Sequence, residues 1–196
     1  MTNITTKEEL IRQLECTKHT FHITTYGIMH LWNSFIYNQT IPNFCIVAEN
    51  EMEECAYGCE EYLKFYDKFD DKNKVFLTNI QDAFRSAERT YIRETFEWIN
   101  DYVQNEINGE TQEKIFQEQS WYRMLKILRN CVSHNWIIKE FNTHEKKYIK
   151  ENGAISYYGV DIVLDDQGKT PYSLGWSRFK TMKLCDEILQ FSHLLK

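Results

Sequence analysis

The stretch Trp121–Val132, WYRMLKILRNCV, decides the fold class of this chain. Apolar residues recur in it at spacings of three and four, at Trp121, Leu125, Leu128 and Val132. That period forms one apolar stripe along a helix and leaves polar side chains on the opposite side. The stretch therefore predicts an amphipathic helix packed on a core, within a helical region from Thr111 to about Phe141.

Similar stripes occur on both sides of this stretch. Thr6 and Glu9 have the spacing of a capping box at a helix start, and Asn108-Gly109 is a helix stop signal. The sequence therefore predicts a mainly helical bundle of about five helices. Besides the helical region above, its helices are expected at about Thr6–Asn38, Phe44–Phe69, Thr78–Ile107 and Ser177–Leu195.

The helical period stops after Lys146 and gives way to short alternating runs. Asn152-Gly153 predicts a hairpin turn between Tyr148-Ile149 and Ile155–Tyr158. Asp165 to Gly168 predicts a second turn, before a run from Thr170 to Leu174. We therefore expect a small β-ribbon at about 147–175, inserted between helices, within a single domain that covers residues 1–196.

Composition limits the class of protein. Of the 196 residues, 42% are hydrophobic and 15% aromatic, which excludes a disordered chain. No run approaches the ~20 apolar residues of a membrane span, and the first residues lack the pattern of a secretion signal. Six cysteines are too few for a disulfide scaffold. The expected protein is cytoplasmic, with no membrane association.

Several standard signatures of chemistry are missing. The chain has no Gly-rich phosphate loop, no GxSxG, no HExxH and no paired-cysteine zinc spacing. Cys16, His19 and His22 could ligate a metal from one helix, but no fourth ligand lies nearby in the sequence. We expect no cofactor and no metal. Residues 49–61 carry six carboxylates and no base, which fits a solvated helix face or an acidic docking surface.

One region of this acidic protein is cationic. Residues 114–150 hold eight basic and three acidic side chains, a formal charge of +5, whereas the whole chain carries −6. A local excess of cations attracts phosphate, although the negative overall charge opposes broad binding of nucleic acid. The segment from Lys126 to Trp136, KILRNCVSHNW, lies within this region and holds the chemistry of interest.

Two side chains of this segment fit phosphodiester chemistry. A histidine titrates near neutral pH, so His134 can take a proton from a 2′-hydroxyl or return one to a leaving oxygen. The planar guanidinium of Arg129 suits a phosphate or its transition state. These residues lie about 140° apart around an ideal helix. Their convergence therefore needs a helix break, the reach of the arginine, or two copies of the segment in a dimer.

Four further residues are expected to support this pair. Asn130 precedes His134 by four residues, so we expect both on one helix face, where Asn130 could orient the imidazole or hold substrate. The other predicted substrate-binding or supporting residues are Ser133, Lys126 and Arg123. For the aromatic residues Trp121, Tyr122 and Trp136, core packing is favoured over base stacking.

The sequence Arg129-Asn130-Cys131-Val132-Ser133-His134 resembles the R-x(4–6)-H motif of the HEPN family, in the form with Asn directly after Arg. The resemblance implies a helical bundle that dimerises across the motif-bearing helices. It also implies a metal-independent endoribonuclease with Arg129 and His134 as catalytic residues and Asn130 in support. Members serve as toxins of toxin–antitoxin pairs and in phage defence. The chain departs from one toxin branch at Trp136, where that branch has a tyrosine that the antitoxin modifies.

A second pair of residues also fits the spacing. Arg12 and His19 match it on the first predicted helix, but Gln follows Arg12 and the pair lies far from the cationic region. The Arg129–His134 pair itself has a plain alternative, in which His134 is bonded to backbone at a helix end and Arg129 forms a surface ion pair.

Two functions from different classes therefore follow. The first is an RNA-cleaving enzyme, and the alternative is a non-catalytic helical module that binds a nucleotide, RNA or a protein partner. The expected partners are RNA, a second copy of the chain and, in a toxin system, an antitoxin protein. In the expected homodimer the two 121–136 segments meet at the two-fold axis.

Overall fold

The computed structural model describes residues 4–38, 65–105 and 109–195. In these ranges the chain is mainly helical with one small antiparallel sheet, which confirms the predicted fold class. The predicted helix at Phe44–Phe69, with its acidic run, lies almost entirely outside the described residues. The described helices are α1 (Lys7–Asn38), α2 (Lys72–Asn105), α3 (Gly109–Gln117), α4 (Tyr122–Val132), α5 (Thr143–Asn152) and α6 (Arg178–Ser192).

The chain divides into two compact units. The first unit comprises Met1–Phe21 and Glu88–Lys196, and the second comprises His22–Ala87. Within the second unit, side chains from α1 and α2 form an apolar core with Tyr66; this core consists of Ile28, Phe35, Tyr66, Phe76, Ile80 and Phe84. In the described part of the chain, no helix is long and apolar enough to cross a membrane.

The core of the first unit holds α4 at its centre. Trp121, Leu125 and Leu128 of the predicted stripe are buried, and Val132 packs against the same cluster. The aromatic ring of Trp121 lies 5.6 Å from Phe191 of α6, measured between ring centroids. The apolar period of this stretch therefore predicted both its helical state and its buried side correctly.

The predicted helical region Thr111–Phe141 is wrong in extent, because it is two helices followed by a non-helical segment. Helix α3 ends at Gln117, and α4 begins at Tyr122 and ends at Val132. Between them the Gln119 side chain donates to the Ile115 carbonyl at 2.9 Å, and the Tyr122 N–H donates to the Gln119 carbonyl at 3.0 Å. These local hydrogen bonds take up backbone groups that a continuous helix would pair differently.

The position of the hairpin also differs from the prediction. Tyr148 and Ile149 belong to α5, where Asn142 and Glu145 form a capping box at the helix start. Gly153 ends that helix with a φ of 86°, so Asn152-Gly153 is a helix stop rather than a hairpin turn. Strands β1 (Ile155–Tyr157) and β2 (Val160–Ile162) pair instead around Tyr158-Gly159.

The third run of the predicted ribbon is not a strand. Residues Pro171–Leu174 form a short 3-10 helix, as do residues Leu164–Asp166. Pro171 has no N–H to donate to a sheet, and the Thr170 hydroxyl accepts from the Ser173 N–H at 3.2 Å, which caps the turn. The region between α5 and α6 therefore contains a two-stranded hairpin and two helical turns.

Candidate functional site

The polar side of α4 carries most of the predicted site residues. Arg123, Lys126, Arg129 and Asn130 lie within about 120° of each other on a helix of 3.6 residues per turn. All four are half-buried, and the opposite side of α4 holds its buried residues. We call the side that carries Arg123, Lys126 and Arg129 the cationic face.

Arg129 lies at one edge of the cationic face, next to α2. Its guanidinium carbon is 5.7 Å from the ring centroid of Phe96, a cation–π distance. Within the described part of the chain, Arg129 forms no ion pair and no hydrogen bond through its side chain. The alternative interpretation, a surface ion pair of Arg129, therefore finds no carboxylate among the described residues.

Arg123 lies at the other edge of the cationic face, next to α5. Its guanidinium carbon is 4.0 Å from the ring centroid of Tyr148, so the side chain stacks on this aromatic ring. Lys126 lies between Arg123 and Arg129 around the helix. Three of the other cations in residues 114–150 do have carboxylate neighbours; they are Lys114 with Glu118 at 3.9 Å, Lys146 with Glu140 at 2.7 Å, and Lys147 with Glu151 at 3.8 Å.

The helix ends between Arg129 and His134. The carbonyl of Cys131 accepts from the N–H of His134 at 3.0 Å and from the N–H of Trp136 at 2.8 Å, which closes the last turn. Ser133 is exposed and caps the helix, and His134 is exposed just beyond it. The expectation that Asn130 and His134 share a helix face is wrong, because α4 stops at Val132. The ideal-helix angle between Arg129 and His134 no longer applies for the same reason.

The two residues that follow His134 both adopt left-handed backbone conformations. Asn135 has a φ of 55° and Trp136 a φ of 63°. Asparagine tolerates this region, whereas a bulky residue there is strained by about 1–2 kcal/mol. The strain at Trp136 is offset by packing, because its side chain is only 3% exposed and lies 5.4 Å from the Tyr172 ring. This burial fixes the turn that carries His134, and it confirms packing rather than base stacking for Trp136.

A buried carboxylate is linked to the same turn through Tyr172. Glu88 of α2 is fully buried and accepts hydrogen bonds from the hydroxyls of Tyr172 and Thr181. Burial raises the pKa of Glu88, while these two hydrogen bonds oppose the rise. Tyr172 in turn packs on Trp136, so the chain of contacts runs from Glu88 to the His134 turn. Sequence patterns carried no signal for this network, because its members are far apart along the chain.

A metal site does not emerge from the described residues. Among residues 4–38, 65–105 and 109–195, no group of three or more His, Cys, Asp or Glu side chains could hold a metal ion. The imidazole of His134 also has no hydrogen-bond partner within these ranges. The site offers an exposed imidazole, a guanidinium without a carboxylate partner in the described part of the chain, and further cations on α4.

Comparisons with known proteins do not place this chain in a family. No family model, no curated protein and no solved structure matches it.

Proposed function

We propose that this protein is a metal-independent endoribonuclease that uses Arg129 and His134. The observation that carries the proposal is the pairing of an arginine that has no acidic partner among the described residues with an exposed histidine just beyond the end of the same helix. Both groups are available to a ligand, and the cationic face of α4 favours an anionic one. The Arg129-Asn130-x3-His134 pattern, which resembles the HEPN motif, supports the same chemistry and a role as a toxin or in phage defence.

The reaction follows from what the two side chains can do. Neutral His134 takes the proton of a 2′-hydroxyl, and the resulting oxyanion attacks the adjacent phosphorus. The bond from phosphorus to the 5′-oxygen breaks, and that oxygen takes a proton from a second, protonated imidazole, so that no net proton is released. Arg129 binds the non-bridging oxygens, whose negative charge grows in the transition state. The products are a 2′,3′-cyclic phosphate and a 5′-hydroxyl, so the step requires no water and no cofactor.

A homodimer would supply the second proton-transfer group. Each chain offers one His134, whereas the reaction uses a base and an acid at the same phosphate. Two α4 segments packed about a two-fold axis would bring both histidines to one cleft, with the cationic faces on either side. We propose this assembly and expect light scattering to give the mass of a dimer. A monomer at high micromolar concentration would contradict the shared cleft.

Cleavage of mixed RNA in EDTA tests the proposed activity. We expect fragments with 2′,3′-cyclic phosphate ends from the wild-type protein and none from Arg129→Ala or His134→Ala. Circular dichroism of both variants, compared with the wild type, checks that they fold. Equal cleavage by wild type and both variants would remove these residues from the mechanism. RNA binding without any cleavage would favour the alternative of a non-catalytic binding module.

A further inference from the structure

Helix α2 lies alongside the segment that carries Arg129 and His134. Two contacts show this: Arg129 lies over Phe96 at 5.7 Å, and Arg89 lies over Trp136 at 6.0 Å. The earlier residue on α2, Arg89, contacts the later residue of the other segment, Trp136, so the two segments run in opposite directions. The two contacts are also equally far apart along both segments. The residues of α2 between Arg89 and Phe96 on this face therefore lie beside the His134 turn.

Arg93 is the residue of α2 that falls in this interval. It follows Arg89 by four residues and precedes Phe96 by three, so all three share one face of the helix. Arg93 is exposed and forms no ion pair or hydrogen bond with the described residues. Glu97 follows Arg93 by four residues, yet the two form no ion pair.

Arg89 also has no polar side-chain partner among the described residues. Its Nε atom is buried and has no hydrogen bond within the described part of the chain. The neighbouring carboxylate of Glu88 is occupied by Tyr172 and Thr181. The indole Nε1 of Trp136 is a second buried donor without a partner in those ranges, on a side chain that is only 3% exposed. Buried donors are nearly always satisfied by protein or by ordered water, and neither of these two has a protein partner in the described part of the chain.

We infer that Arg89 and Arg93 of α2, together with Arg129 of α4, form a phosphate-binding surface beside His134 for the backbone of single-stranded RNA. This inference rests on the proposed function, and it states which side chains hold the RNA substrate. Three guanidinium groups without carboxylate partners among the described residues leave a local excess of positive charge, which favours bound phosphates. Their planar donor sets match phosphate oxygens, whereas they give no reading of base sequence.

Binding of a 2′-O-methyl RNA oligonucleotide tests the surface without cleavage, because the attacking hydroxyl is blocked. We expect Arg93→Gln to weaken binding roughly tenfold at low salt, as measured by fluorescence anisotropy. The slope of log affinity against log salt should fall by about 0.7 for each phosphate of the single strand that the variant no longer neutralises. Arg12→Gln is the matched control, since it removes the same charge from the exposed surface of α1 and should leave affinity and slope unchanged.

Arg93 is the informative variant because it is exposed, whereas Arg89→Gln also disturbs the packing on Trp136. Arg89→Lys, which keeps the charge, should retain most of the affinity that Arg89→Gln loses. If Arg93→Gln binds like Arg12→Gln, the inferred surface is wrong, even where the wild type still cleaves RNA. If binding depends on Arg93 while no RNA is ever cut, the surface stands and the proposed enzymatic activity fails.

Discussion

Six residues separate Arg12 from His19 on helix α1, and four separate Arg129 from His134 at the end of helix α4, so both pairs fit the R-x(4–6)-H spacing. The surroundings of the two pairs differ. Arg12 and His19 both lie within the uninterrupted helix α1. The guanidinium of Arg12 donates to Glu9 at 2.7 Å and 2.9 Å, and these bonds lower the pKa of that carboxyl. Arg129 has no such partner among the described residues, and its helix ends before His134.

The difference teaches that spacing alone does not make a site. A carboxylate three residues away uses the donors of Arg12 and cancels its charge, so little remains for a phosphate. The end of α4 frees His134 from helical geometry, and the buried Trp136 then fixes the turn in which it lies. Two features distinguish the Arg129–His134 pair from the Arg12–His19 pair: an arginine whose donors are not used by a carboxylate, and a turn held by a buried side chain. Substitutions can remove either feature.

The largest expected effect is on RNA cleavage. Arg129→Gln and His134→Gln should each lower the rate by about 10²–10⁴-fold, the range for loss of an acid–base or charge-stabilising group. Arg12→Gln and His19→Gln should leave the rate at the wild-type value. Single-turnover cleavage assays on all four variants measure this. A comparable loss in the α1 variants would erase the distinction between the two pairs.

The second largest expected effect is on the free energy of unfolding, through the buried Trp136 that holds the His134 turn. Trp136→Ala should lower the free energy of unfolding by about 3–5 kcal/mol, because it removes a buried aromatic side chain from the core. His19→Ala, an exposed change on α1, should alter it by less than about 0.5 kcal/mol. Urea denaturation gives both values. Equal stabilities would show that the turn does not depend on Trp136.

The buried Glu88 gives the protein a pH dependence of stability. Burial raises its pKa in the folded state above that of the unfolded chain, despite the hydrogen bonds from Thr181 and Tyr172. The folded state then retains the proton at a pH where the unfolded chain has lost it. The free energy of unfolding therefore falls as pH rises from the usual glutamate range through the raised pKa.

Glu88→Gln should flatten this fall, because glutamine does not titrate and can still bond to both hydroxyls. Urea unfolding of wild type and variant between about pH 5 and about pH 8 measures the two slopes. An unchanged slope in the variant would show that Glu88 does not set the pH dependence.

The smallest expected effect is a pH dependence of stability opposite in sign to that of Glu88, and it comes from Glu9 on α1. Hydrogen bonds from Arg12 and Gln13 lower the pKa of Glu9, so its contribution to stability is present above the unfolded pKa and is lost as pH falls. The contribution is small because the pair is at the surface. An NMR titration should find the pKa of Glu9 below its usual value in the wild type and closer to it in Arg12→Gln. The same pKa in both proteins would contradict the pairing that distinguishes Arg12 from Arg129.

The amino-acid sequence by itself determined the helical class and the inward side of the Trp121–Val132 helix. Periodic apolar residues carry this information locally, because burial of one stripe follows from 3.6 residues per turn. Trp121, Leu125 and Leu128 are buried for that reason. The sequence also indicated where backbone regularity is interrupted, but it assigned Asn152-Gly153 to a hairpin. The same dipeptide can end a helix, and the capping box of α5 favours the helix.

Only the tertiary structure decided what surrounds each candidate residue. The end of α4 at Val132 depends on two left-handed residues that are stabilised by packing of Trp136 on Tyr172. The contacts of Glu88 with Tyr172 and Thr181, and of Arg129 with Phe96, join residues from distant parts of the chain. No local pattern encodes such contacts, since they form only when separate elements pack together. The sequence therefore names Arg129 and His134, while the fold shows that neither has a polar side-chain partner among the described residues.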